Sequence, residues 1–326
     1  MPSRAPRNRR WLVVAAKAAV FAVVAWFVRG TLVEAWRQLG EHRWELHAGW
    51  LGAAGAIYAL GLLPAGVFWW HLLRRYGQTA SLGQTLRAYY VGHLGKYVPG
   101  KAMVVVLRAG LIHRRGMDGG LAAASVFVET LTMMAVGGVL AAAMLAVRLG
   151  EQRLLFWGAV GLAVVAGLPT LPPICRRLVR LAGVGKRDPA VAARVDGLGW
   201  RTLLVGWAAM LLTWLGLAAS LWATMTALDL HPPALLHDLP AYLAAVALSM
   251  VAGFLSLIPG GLGVRDVILV KLIVRLFACS AAQAALAAGL LRLVWLMAEL
   301  IVSAMLYGAV RGEGRGYERS AMSREH

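Results

Sequence analysis

The chain has 326 residues, 60% of them hydrophobic and only 15% charged, with a mean hydropathy of +0.67. Soluble domains carry roughly a quarter charged residues, so water is not its main solvent. A net charge of +18 would suggest nucleic acid in a soluble protein, but here the basic residues sit in short loops and tails between apolar runs, a pattern of topology and of contact with anionic head groups.

Arg4, Arg7, Arg9 and Arg10 precede the apolar run from Trp11 to Val28. The run is long and no small-x-small site follows it, so it reads as a first transmembrane helix rather than a cleaved signal. Further apolar segments fall at about 48–73, 84–112, 120–147, 154–174, 201–228, 241–278 and 283–310, most of them long enough for about 30 Å of hydrocarbon. The expected organisation is one membrane domain over 11–310 between a basic tail at 1–10 and a second tail at 311–326. Cys175 and Cys279 stand in different segments without metal-ligand spacing, so the sequence indicates neither a metal site nor a disulfide and the thiols read as inert.

Two segments are abnormal. Segment 84–112 contains Arg87, His93, Lys96, Lys101 and Arg108 around Pro99-Gly100, and 241–278 is too long for one helix and breaks at Pro259-Gly260-Gly261. The positive-inside rule assigns both a re-entrant path. With the N-terminus in the cytoplasm, re-entry of the first break keeps His113, Arg114 and Arg115 inside with the basic loop 176–201, while Asp229–Pro240, without Lys or Arg, falls outside. The first external loop, with Arg29, Arg37 and Arg43, fits least well. The expected fold is an all-α polytopic membrane protein of about six full transmembrane helices plus two re-entrant broken-helix segments. These form an inverted repeat, about 48–147 and 201–310, with both termini cytoplasmic. Inverted repeats with broken helices are a transporter architecture whose broken ends line the substrate site.

The first break reads Lys96-Tyr97-Val98-Pro99-Gly100-Lys101, continuing to Arg108. Proline removes a donor and glycine frees the backbone, so a helix ends here. Unpaired backbone at membrane depth needs a protein-buried or water-lined place, where an ammonium or guanidinium can hold a phosphate. Snorkelling of Lys96, Lys101 and Arg108 to the interface is the alternative. Gly95 to Lys101 also spells the start of a nucleotide-binding loop, but Ala102 lacks the hydroxyl and no buried strand precedes it, so nucleotide binding is set aside. The second break, Ile258-Pro259-Gly260-Gly261-Leu262-Gly263-Val264-Arg265-Asp266, restarts a helix whose first turn carries an anion ligand, Arg265, and a cap or cation partner, Asp266. Glu129, Arg292 and Glu299 are intramembrane charges that need partners. The two glutamates read either as neutralising the basic breaks or as relaying protons.

On these two motifs the sequence resembles the flippase-like membrane family related to the transmembrane region of lysylphosphatidylglycerol synthase. The resemblance spans roughly residues 11–310. Many members have Gly-Glu shortly after the first proline, where this chain has Ala102-Met103, and many close the second motif with Glu, where it has Asp266. Bifunctional members carry a soluble aminoacyl-transferring domain after the membrane region; here about 16 residues follow the last helix, so synthesis of aminoacyl lipids is not expected.

What the resemblance implies is translocation of an anionic lipid, a phospholipid or a polyprenyl-phosphate-linked glycan, across a bacterial inner membrane without a cofactor. The substrate-binding candidates are Lys96, Pro99, Gly100, Lys101, Arg108, Pro259, Gly260, Gly261, Arg265 and Asp266. Two alternatives stand beside it. One is a membrane-embedded transferase using Glu129, Asp266 or Glu299 as acid or base; the other is a non-transporting partner of a glycosyltransferase or synthase that docks on the basic loop 175–201.

Overall fold

A computed structural model describes residues 46–97, 102–112, 118–148, 153–181, 183, 189–230, 235–256 and 263–322. The proposed first helix at 11–28 and the break residues Pro99, Gly100, Lys101, Pro259, Gly260 and Gly261 lie outside them. The described residues form helices and no strands: α1 Ala48–Gly61, α2 Leu63–Arg75, α3 Leu82–His93, a 3₁₀ turn Leu94–Tyr97, α4 Ala102–Ile112, α5 Gly119–Arg148, α6 Arg153–Gly167, α7 Pro172–Leu181, α8 Pro189–Asp196, α9 Trp200–Thr226, α10 Leu235–Leu255, α11 Val264–Phe277 and α12 Ala281–Met322.

Among the described residues, five stretches are long and apolar enough to cross a bilayer: Ala48–Arg75, Gly119–Met144, Trp200–Thr226, Leu235–Leu255 and Ala281–Tyr307. The protein is an all-α polytopic membrane protein. Two expected segments differ in detail. The run 154–174 is not one helix, because Pro169 and Pro172 end α6 in a 3₁₀ turn at Leu168–Thr170 and start α7 afresh; α6, at 15 residues, is about 22 Å long, short of the hydrocarbon thickness. The expected loop Asp229–Pro240 is already helical from Leu235, with Pro240 inside α10. That gives α10 21 residues, about 31 Å, enough to cross alone.

Segment 82–112 folds back on itself. A side chain at Gly95 would meet the Val104 backbone at 3.0 Å, and one at Gly92 would run into the side chain and backbone of Arg108. α3 and α4 are therefore antiparallel arms, and Gly92 on α3 with Gly95 on the 3₁₀ turn lets the backbones approach. The outer ends of the hairpin meet as well: the Asp118 backbone N–H donates to Gln78 Oε1 at 3.1 Å. The segment thus enters and leaves on one face. Ser81 caps α3, accepting from the Gln84 N–H at 3.3 Å, and Asp118 caps α5, accepting from the Leu121 N–H at 2.7 Å, as expected of Ser and Asp at N-caps.

The second segment closes likewise. Tyr242, two turns into α10, packs its ring 4.5 Å from that of Phe277 at the end of α11. The His47 N–H donates to the Ala227 carbonyl at 3.0 Å, so α1 begins on the face where α9 ends.

Helices α1, α9 and α12 meet at Ser220, whose hydroxyl donates to the Ala54 carbonyl at 2.8 Å and accepts from Trp295 Nε1 at 2.9 Å. Gly61 and Gly216 pack backbone to backbone where α1 crosses α9. Small residues at such crossings replace the hydrophobic driving force that lipid does not supply. Trp69, Trp214 and Trp295 fill the buried centre, each with its indole N–H donated, to Ser125, the Met133 carbonyl and Ser220.

Candidate functional site

The fold brings the charges flanking both breaks to one buried cluster. Arg108 on α4 donates from Nη1 to Glu129 Oε2 on α5 at 2.6 Å. Both are sealed, at 2% and 1% exposure. The Arg108 guanidinium also lies 4.0 Å from the Tyr89 ring centroid, a cation–π contact strengthened by burial, and Tyr89 donates its hydroxyl to Glu129 at 3.3 Å.

The second centre is Glu299 on α12, also 1% exposed. Lys96, on the 3₁₀ turn that ends the first arm, donates to Glu299 Oε1 at 2.5 Å. The Tyr58 hydroxyl donates to the same oxygen, and His93 Nε2 lies 3.8 Å from it. The other oxygen, Oε2, is buried with no partner among the described residues. His93 joins the two centres, since its Nδ1 lies 3.2 Å from Arg108 Nη2.

The second hairpin reaches the cluster through the first turn of α11. Gly263 stands at φ +81°, a conformation that favours glycine, and its N–H donates to Asp266 Oδ2 at 3.3 Å. Asp266 also accepts from Arg292 Nη1 on α12. Arg265 extends beside it, its guanidinium 4.6 Å from the Trp295 ring centroid, and the opposite neighbour of that ring is Tyr58, stacked at 4.6 Å. Arg292, Trp295 and Glu299 thus share one face of α12 and join the two hairpins.

The charge inventory of this cluster is uneven. Among the described residues, four cations, Lys96, Arg108, Arg265 and Arg292, face three carboxylates, Glu129, Asp266 and Glu299. Lys96, Arg108 and Arg292 each hold a carboxylate; Arg265 forms no ion pair among the described residues, and its Nε is buried without a hydrogen-bond partner. A guanidinium in that position offers a fork of donors to an anion.

The candidate residues named from sequence therefore separate. Arg108 and Glu129 satisfy one another in the interior, Asp266 holds Arg292, and Lys96 and Arg265 approach opposite ends of the Glu299–Trp295 face. His93, Tyr58, Tyr89 and Trp295 were not among the candidates. His93 had a signal, since it lies three residues before Lys96 and shares its face; the aromatics sit in apolar helices and had none. Among the described residues no group of three or more His, Cys, Asp or Glu is placed to hold a metal ion.

The family model described as the lysylphosphatidylglycerol synthase TM region matches residues 14–303. No curated protein matches the chain. With nearly the whole membrane domain matched and five helices able to span a bilayer, the chain belongs to the lysylphosphatidylglycerol synthase TM region family of membrane proteins.

Proposed function

We propose that this protein moves an anionic lipid, a phospholipid or a polyprenyl-phosphate-linked glycan, between the leaflets of a bacterial inner membrane, with both termini in the cytoplasm. The observation that carries this reading is the unmatched Arg265: a part-buried guanidinium whose Nε is shut off from solvent without a partner among the described residues lacks one negative charge, and a phosphodiester supplies one. Lys96, at 23% side-chain exposure, is the second ligand, exchanging Glu299 for the phosphate as the lipid arrives. Arg108 supports the first hairpin from its pair with Glu129.

In this reading the two hairpins are the centres of an inverted repeat that alternates access. The ion pairs are consistent with it. In the first half the hairpin arm contributes the cation, Arg108, and the following helix the anion, Glu129; in the second half the arm contributes the anion, Asp266, and the following helix the cation, Arg292. The transferase alternative is less well supported, because each of the three carboxylates already holds a cation.

The test is flipping of a fluorescent phosphatidylglycerol in proteoliposomes. Arg265→Gln is expected to lower the rate at least tenfold, a rise of about 1.4 kcal/mol or more in the barrier. Undiminished flipping by folded Arg265→Gln protein sinks the site assignment.

A further inference from the structure

The cluster contains a titratable group that lipid capture does not use. His93 ends α3 and bridges the two buried ion pairs, and its tautomer is fixed by its neighbours. Arginine has donors only, so the 3.2 Å contact with Arg108 Nη2 requires a lone pair on His93 Nδ1. The one proton of the neutral ring then sits on Nε2, facing Glu299 Oε1 at 3.8 Å. Every element around the ring presents a polar group. Tyr89 stacks on it from α3, with ring centroids 5.9 Å apart; Lys96 lies one turn further on. Arg108 comes from α4 with Glu129 of α5 behind it, and Glu299 comes from α12 with Tyr58 of α1 donating to it.

We infer that His93 is a proton site coupled to lipid binding, so that one proton travels with each phosphodiester. The proposal rests on the lipid-transport reading. A second proton can go only to Nδ1. There it removes the acceptor for Arg108 and sets two donors face to face, while the Nε2–H and Glu299 become an ion pair. His93 and Arg108 stand on opposite arms of the first hairpin, so protonation loosens the contact between the arms at its inner end.

The sign of the coupling follows from charge. With His93 neutral and no lipid bound, the described residues of the cluster carry one cation more than their carboxylates match, at Arg265. A phosphodiester cancels that excess, lowers the cost of a proton on His93, and by reciprocity the proton tightens the phosphodiester. The cluster loaded with lipid and proton carries the same net charge as the empty one, which makes the cargo pair electroneutral. Electrostatics therefore favour symport over antiport.

The experiment mixes the purified full chain, in weakly buffered detergent with a pH dye, with dioleoyl-phosphatidylglycerol, and with phosphatidylcholine as a control lacking net charge. Between pH 4.5 and 7.5, the wild type is expected to take up protons, up to one for each lipid, on binding phosphatidylglycerol and none with phosphatidylcholine. Its affinity is expected to fall by up to about tenfold per unit rise in pH, the limit for one linked proton. In His93→Asn and His93→Gln, each checked for folding by gel filtration, uptake is lost and affinity becomes independent of pH. His237→Asn, altering the exposed histidine paired with Asp238, keeps both.

Uptake persisting in the folded His93 variants, or proton release by the wild type, overturns the proposal. Wild-type binding of phosphatidylglycerol that depends on Arg265 yet moves no proton overturns it while leaving the lipid site standing. Absence of phosphatidylglycerol binding removes both.

Discussion

The Arg108–Glu129 pair shows what an intramembrane charge costs and how it is held. Each ion alone would be strongly unfavourable in a dry interior, so removing one partner is far worse than removing both. Glu129→Gln is expected to lower stability by about 3–5 kcal/mol, read as a fall in the detergent-solubilised melting temperature. The double variant Arg108→Met with Glu129→Leu should recover most of it, since an apolar pair of similar volume removes the unpaired charge. Equal losses in the single and double variants would refute the pairing. At this scale the sequence was partly legible. Charges within apolar runs stand out in any reading, and Glu129, Arg292, Glu299 and Asp266 could all be named as needing partners. Which partner each takes was not legible, because Lys96 and Glu299 are separated by 203 positions and only the packing of α3 against α12 joins them.

At the scale of elements, the first hairpin rests on Gly92 and Gly95. Gly92→Ala places a methyl against Arg108 and is expected to destabilise by about 1–3 kcal/mol, the usual range for overpacking. Gly83, on the same helix with open space around its Cα, is the control: Gly83→Ala should be neutral or stabilise by up to about 1 kcal/mol through helix propensity. Comparison of the two melting temperatures checks this; equal shifts would mean that the arms do not meet at Gly92. The break itself was legible, because proline and glycine act locally on the backbone. The contact between the arms was not, since a glycine in a helix looks alike whether it faces lipid or a neighbouring backbone. The run 154–174 was read as one helix on hydropathy, but Pro169 and Pro172 act through a missing donor and a steric clash that hydropathy does not register.

For the molecule as a whole, the hydrogen bond from Asp118 to Gln78 places both ends of the first hairpin on one face. Under the proposed orientation, which puts the N-terminus in the cytoplasm, a Gly116→Cys probe is expected to react with a membrane-impermeant maleimide from the cytoplasmic side only. Native Cys175 serves as the internal silent thiol: burial pushes its pKa up to about 11, leaving about one part in a thousand as thiolate at pH 8. Labelling of residue 116 from the outside alone would mean that 82–112 crosses. The sequence by itself determined that this is a polytopic helical protein, where its helices are interrupted and which charges lie at membrane depth. Those properties follow from solvent transfer and backbone chemistry, which act residue by residue. Only the tertiary structure decided that charges flanking both interruptions gather in one cluster, that three of its four described cations are paired with carboxylates on α5, α11 and α12, and that Arg265 is left unmatched with His93 between the pairs. Charge balance in a low-dielectric interior is a property of the assembled set, since each ion's cost depends on what other helices bring within a few ångströms of it.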